Sequence, residues 1–211
     1  MNNQAHEINI CRGGLGRECR FSLPADESIG PAIEALLDGA GWPEFLADMI
    51  GQTPAAHNRL KINIAACANG CSRPHIADIG LIRVLRPQVN AGECLGCGIC
   101  AESCPDRAVS MAGELPRINP DLCLDCGYCV KTCPEQALGR LDPGWRVIVG
   151  GRLGRRPKLG TPLPGILTTP LALGVVQNAI TTLMRDFNPG IRFGQILDGI
   201  ETNELLRNHA K

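Results

Sequence analysis

The sequence carries no net charge, no leader-like opening and no membrane-length apolar run, and each absence argues against a class of protein. Lysine plus arginine and aspartate plus glutamate number 21 each, so no global field recruits nucleic acid or an acidic membrane surface. The opening MNNQAHEINI has neither the apolar stretch nor the small-residue cleavage site of a secretory leader. No stretch of about 18 uninterrupted apolar residues suggests a membrane span. The expectation is a soluble cytoplasmic protein, with 44% apolar residues to build a core.

What the sequence has in excess is cysteine, 12 in 211 residues. In a reducing compartment closely spaced cysteines are metal ligands more often than disulfides. They fall into three groups: Cys11 and Cys19; Cys67 and Cys71; and eight between Cys94 and Cys133.

Hydrophobic spacing organises the rest. Asp26 to Ile50 reads as two short helices interrupted near Gly39, Gly41 and Pro43. Leu60 to Ala65 alternates as a strand and delivers Cys67, Ile79 to Leu85 reads as a second strand, and Trp145 to Gly150 as a third. Leu173 to Phe187 has helical periodicity, and Phe193 to Leu206 offers another helix. Pro87 to Gly92 reads as the entry to a separate module, and Leu141 to Gly144 as its exit. The predicted organisation is α+β: an α/β domain formed by 1–88 and 142–211, interrupted by a small module at 89–141.

That module contains an internal repeat. Cys94, Cys97, Cys100 and Cys104 before Pro105 spell C-x2-C-x2-C-x3-C-P, and Cys123, Cys126, Cys129 and Cys133 before Pro134 spell it again. Three thiolates on one tight loop grip a cubane, while the fourth reaches the other cluster. Ligation therefore crosses: Cys94, Cys97, Cys100 and Cys133 for one 4Fe-4S cluster, Cys104, Cys123, Cys126 and Cys129 for the other. Gly96, Gly98 and Gly127 let the backbone wrap closely and aim amides at sulfur. Paired zinc knuckles are the competing reading, but this doubled motif with its terminal prolines fits clusters. The expected module is a ferredoxin-like, βαβ-type unit that moves electrons and does no substrate chemistry alone. Tyr128, between ligands, reads as a packing residue.

The C-x3-C of Cys67 and Cys71 is less specific. With Cys11 and Cys19 it closes a set of four thiolates, against the alternative of buried structural thiols. The run ACANGCSRPHIADIGL resembles the cluster signature of siroheme-dependent sulfite and nitrite reductases. WRVIVGGRLGRRPKLG is similar to the segment that follows the inserted ferredoxin unit in dissimilatory sulfite reductases, and NPGIRFGQILDGI resembles the closing helix of the family. The resemblance covers nearly the whole chain as one reductase repeat. It implies a third 4Fe-4S cluster on Cys11, Cys19, Cys67 and Cys71, with Cys71 bridging to siroheme iron. One departure is the seven residues between Cys11 and Cys19, where the family usually has five. Another is the presence of a single reductase half, so a homo-oligomer or a partner subunit is expected to complete the site.

The resemblance also implies a basic pocket for the siroheme carboxylates. Arg146, Arg152, Arg155, Arg156 and Lys158 occur with no acid among them, and Arg12, Arg17, Arg20, Lys61, Asn69 and Arg73 flank the cysteines. Arg12, Arg17, Lys61, Asn69, Arg73, Arg152, Arg155 and Arg156 are the expected cofactor-binding residues. Arg152, Arg155 and Lys158 are the expected catalytic residues, holding sulfite or nitrite and, with ordered water, delivering protons. A solvated basic loop is the plain alternative. A phosphate-binding loop is disfavoured, because GGRLGRRPKLG matches neither Gly-rich fingerprint. His75 could donate protons but reads more simply as structural. The expected electron source is a donor protein. An electron-transfer protein or subunit without siroheme is the alternative function.

Overall fold

A computed structural model describes residues 5–51, 54–139 and 143–207. Five strands make its scaffold: β1 (His6–Ile10), β2 (Leu60–Ala65), β3 (Ile79–Val84), β6 (Gly144–Val149) and β7 (Thr161–Pro162). They form one mixed sheet in the order β1-β2-β3-β6-β7. The first three are parallel; β6 runs antiparallel to β3, and β7 antiparallel to β6. Strand β1 was not expected from the sequence.

Alternation divides the two faces of the sheet. Leu60, Ile62, Ile64, Ile79, Leu81, Trp145, Val147 and Val149 point into the main core. That core is closed by α1 (Ile29–Gly39), α2 (Trp42–Ile50), α5 (Thr169–Arg185), α6 (Phe193–Asp198) and α7 (Thr202–Leu206). Gly41, with φ 67°, separates α1 from α2 at the predicted interruption, and Pro43 opens α2. Trp42 is fully buried against Phe193, and truncating such an aromatic costs about 3–5 kcal/mol. The predicted helix over Phe193 to Leu206 is two short helices, parted at Gly199. Asn178 of α5 fastens the second by donating to the Leu205 and Arg207 carbonyls, each at 2.8 Å. Among the described residues the opposite face carries a small cluster of Ala65, Ile82, Val84 and Ile148.

Between β3 and β6 the chain builds a separate small core of Cys100, Val109, Cys129 and Leu138. It holds the hairpin of β4 (Val109–Ala112) and β5 (Leu115–Ile118) with the short helices α3 (Ile99–Glu102) and α4 (Tyr128–Thr132). The predicted exit falls partly on residues 141 and 142, which lie outside the described residues, as do residues 1–4 and 208–211 of the predicted α/β domain. Among the described residues no helix is long and apolar enough to cross a membrane.

Candidate metal centres

The sequence repeat is also a repeat of backbone geometry. Gly96 (φ 66°) and Asp125 (φ 53°) each stand two residues after the first cysteine of their motif. Gly98 (φ 74°) and Gly127 (φ 68°) each precede a helix, and Arg107 (φ 51°) and Gln136 (φ 56°) each follow the last cysteine by three. Left-handed residues curl the chain tightly and turn amide hydrogens inward. The amide of Ala108 accordingly donates to Cys104 Sγ at 3.3 Å.

The two motifs exchange their last cysteines. Cys94, Cys97, Cys100 and Cys133 line one small cavity, closed by Leu95, Ile99 and Met111. Cys104, Cys123, Cys126 and Cys129 line a second, closed by Val109, Leu124 and Tyr128. Burial raises the Cys100 thiol, and Cys97 and Cys133 push it the same way. Burial pushes Cys129 up to about 12, with Cys126, Cys123 and Cys104 adding to the rise. Thiols that raise one another in an apolar shell need a cationic centre before they ionise. A single tetrahedral zinc would draw its four sulfurs to about 3.8 Å from one another. Among the described residues, no three His, Cys, Asp or Glu side chains are gathered to hold one metal ion.

The third set forms where parallel strands end side by side. Cys11 follows β1 and Cys67 follows β2; the Cys11 amide donates to the Ile64 carbonyl at 3.0 Å, and the Ala66 amide to Cys11 Sγ at 3.2 Å. The long interval to Cys19 is taken up by a 3-10 turn, Arg12–Leu15, ended by Gly16 at φ 70°. A Cβ on Gly13 would stand 3.2 Å from that of Cys19, so the loop closes tightly. Burial raises the Cys67 thiol, and Cys19, Cys11 and Cys71 raise it further, while the Asn69 amide lowers it. All twelve cysteines are free thiols, Cys67 buried and Cys71 exposed.

After Cys71 the chain crosses the thinly covered face of the sheet. Ser72 Oγ donates to the Ile64 carbonyl at 2.8 Å, and Asn63 Nδ2 to the Arg73 carbonyl at 3.2 Å. The His75 carbonyl accepts from the Gly160 amide at 2.8 Å, which ties the Cys71 loop to the base of the basic segment. That segment is a tight hairpin in which Arg152 and Lys158 exchange backbone hydrogen bonds, each at 3.0 Å. Both side chains pair with Asp198, Arg152 at 3.3 Å. Arg155 and Arg156 join Arg152, Leu153, Arg192 and Gln195 around an open cavity of about 430 Å³. Arg12, Arg17 and Arg73 are exposed beside the third cysteine set. Arg12, Arg17, Arg73, Arg155 and Arg156 make no salt bridge with the described residues. Lys61 donates its backbone amide to Asp78 Oδ2 at 2.8 Å.

Three features were not expected from the sequence. Arg146 does not join the basic hairpin; it pairs with buried Asp125 at 3.1 Å, alongside Arg86 at 3.0 Å. Arg192 and Asp198 complete the hairpin from α6 and its cap. Phe21, two residues beyond Cys19, lies against Tyr128, with ring centroids 5.5 Å apart. None has a local signal, because every partner is remote in sequence.

Sets of four cysteines on a mixed α/β scaffold have the donor chemistry of an iron-sulfur protein. The family model for the nitrite and sulphite reductase 4Fe-4S domain matches residues 32–209, and the chain belongs to that family. It is 41% identical over 149 residues to the coenzyme F420-dependent sulfite reductase of Methanocaldococcus jannaschii, covering 71% of this chain and 24% of that protein. It is 33% identical over 76 residues to one of the subunits of the anaerobic sulfite reductase of Salmonella typhimurium, covering 36% of this chain and 22% of that protein. The chain thus spans about a quarter of the length of these curated relatives. Among solved structures, dissimilatory sulfite reductase I superposes with a TM-score of 0.56 at 17% identity, over 94% of this chain and 50% of that one. The NirA protein of Mycobacterium tuberculosis gives 0.51 at 18%, over 94% and 26%. Both share the fold.

Proposed function

We propose that the chain is the iron-sulfur and siroheme-binding part of a sulfite reductase, with nitrite as the alternative oxyanion. One observation carries this reading: the twelve cysteines stand as three sets of four, two of them interleaved within the small core and the third at the end of the sheet. Each set holds one 4Fe-4S cluster, and the module at 89–141 is the electron entry into the domain made of 1–88 and 142–211. The relatives named as sulfite reductases support the oxyanion class.

The residues around Cys71 fit a carboxylate-rich macrocycle. Cys71 is exposed, and Arg12, Arg17 and Arg73, which flank cysteines of its set in the chain, make no salt bridge with a described acid. Siroheme, when bound, supplies the iron at which the oxyanion is reduced. Cys71 would be the thiolate of its set that stands next to the macrocycle. Arg12, Arg17, Lys61, Asn69 and Arg73 would hold the ring, while Arg155 and Arg156 on the hairpin would bind carboxylates or the incoming anion. Arg152 and Lys158 hold the hairpin through Asp198 and lend positive potential. A donor protein supplies electrons in the cytoplasm, and the site is made whole by a second copy or a partner subunit. The likeness to a protein named as one part of a multi-chain sulfite reductase fits such an assembly.

The pairing of Arg152 and Lys158 with Asp198 favours one second reading, an electron-transfer subunit without siroheme, because both side chains are engaged by an acid and only part of their charge is left for a ligand. Anaerobic purification separates the two. Porphyrinoid bands over the broad iron-sulfur absorbance, lost together with one cluster in Cys71→Ser, support the reductase. A brown protein with three clusters and no such bands leaves the relay. Iron-free, correctly folded protein overturns both.

A further inference from the structure

We propose that electrons leave the small module through the cluster of Cys104, Cys123, Cys126 and Cys129, and cross to the Cys11, Cys19, Cys67 and Cys71 cluster along the Tyr128–Phe21 contact. The inference rests on the three-cluster reading above and adds an order to it: the Cys94, Cys97, Cys100 and Cys133 cluster receives electrons first. One electron moves per step. The donor cluster is oxidised by one electron, the acceptor is reduced by one, and the two rings are only the medium.

Four observations place the crossing there. Tyr128 sits between the ligands Cys126 and Cys129, and Phe21 is two residues from Cys19, so the rings 5.5 Å apart link two ligand loops by packed atoms. Arg20 steadies the contact: its guanidinium lies 5.3 Å from the Phe21 ring centroid, and its carbonyl accepts from Lys131 Nζ at 3.3 Å. The backbone beneath is also fixed. Leu85 bridges to Cys126 as in a parallel sheet, its amide donating to the Asp125 carbonyl at 2.6 Å. Gly127 has no room for a side chain, since a Cβ there would lie 2.9 Å from Leu23 Cδ2 and from Leu85 Cβ. Contacting atoms couple two centres better than open space does, and at Phe21 and Tyr128 the two ligand loops touch ring to ring.

The other module cluster faces the third set differently. Cys133 and Cys19 both line a cleft of about 700 Å³, which Leu23, Leu85, Gly127 and Lys131 also border, and among the described residues no ring contact like that of Phe21 with Tyr128 spans it. Its Cys97 is exposed, beside Leu95 at 72% exposure. That end is accessible to an external donor.

The test is one-electron photoreduction of the anaerobic full chain with deazaflavin, followed by rapid-freeze EPR of each cluster, with no substrate present. In Tyr128→Leu, and in Phe21→Leu, the signal of the third cluster should grow several-fold more slowly than in the native protein. Tyr128→Phe should restore the native rate, because the ring and not the hydroxyl carries the coupling. Dipolar broadening between fully reduced clusters should stay unchanged in all three variants, showing that distances are preserved. Native rates in both leucine variants at full iron content overturn the crossing and leave the three-cluster reading standing. So does slowing by Val130→Ala, on the cleft side, without slowing by Tyr128→Leu. An iron and sulfide count short of three clusters in the native protein overturns both, because the path then has no acceptor.

Discussion

Arg86 holds Asp125 with two donors, Nε and Nη2, each 3.0 Å from a different carboxylate oxygen. Asp125 is buried and has φ 53°, where the matching position of the first motif is Gly96 at φ 66°. A left-handed aspartate is kept at a cost of about 1 kcal/mol or more. The return is the joint that it makes with Arg86, which follows β3 by two residues, and with Arg146 of β6. This carboxylate fastens the small module to the sheet at the two strands between which the module is inserted.

Replacing Asp125 therefore separates backbone strain from the joint. Asp125→Gly relieves the strain and deletes the ion pairs; Asp125→Asn keeps the shape and loses the charge. Both should lower stability, by about 1–3 kcal/mol as expected for a partly exposed charged hydrogen-bond set. The cluster nearest the joint should lose iron to a chelator fastest, and thermal melts with timed iron release measure both effects.

Gly80 tests how the third cysteine set is held. A Cβ at that position would run into the backbone carbonyl of Pro74, which cannot swing aside as a side chain can. Gly80→Ala should lift the loop that carries Cys71 from the sheet, at about 1–3 kcal/mol of overpacking. The expected protein keeps the two clusters of the small module and lacks one cluster's worth of iron. Retention of all the iron would show that the loop tolerates displacement.

What was readable in advance follows the range of each interaction. The interleaved grouping of the eight cysteines of the repeat was legible because three of each set lie within seven residues, and the helices of 29–39 and 42–50 because Gly41 and Pro43 interrupt the period locally. Strand β1 was not, because HEINI is short and half exposed, and only its pairing with β2 makes it a strand. The third set was legible from a count of cysteines and a family likeness, not from spacing. Arg146 was grouped with the hairpin as part of one run of basic residues, yet its position on β6 sends its side chain toward Asp125, which no sequence window connects to it. Phe21 and Tyr128 likewise meet only after the small module has docked.

Asp78 gives a pH dependence unconnected with the cysteines. Burial is the main cause that raises its carboxyl to about 6, although the Lys61 and Gly194 amides and the charges of Lys61 and Arg192 pull it down. A folded pKa above the unfolded value means that the folded state binds the extra proton. Stability from this group is therefore largest below about 4 and falls as the pH rises through about 6. An infrared carboxyl band titrating near 6 should be present in the native protein and missing from Asp78→Asn, whose stability should no longer fall across that range.

Asp198 decides whether the basic hairpin serves a ligand. It pairs with Lys158 and Arg152, and the hydrogen bond from Lys158 is the first cause that holds its carboxyl below the usual range, with Arg152 acting in the same direction. The pairing therefore persists to a lower pH than an isolated carboxylate would allow. Asp198→Ala releases both cations and the turn between them, while Arg155 and Arg156 keep their charge but lose their fixed position around the cavity. If the hairpin binds macrocycle carboxylates through a preorganised Arg155 and Arg156, looser geometry outweighs the added charge and the ratio of porphyrinoid absorbance to iron falls. Arg155→Ala with Arg156→Ala should lower the ratio further, with iron content unchanged. If the ratio rises in Asp198→Ala instead, the released Arg152 and Lys158 are themselves ligands and the ion pair competes with the macrocycle. An unchanged ratio in every variant removes the hairpin from the pocket and leaves Arg12, Arg17, Lys61 and Arg73 to supply its positive charge.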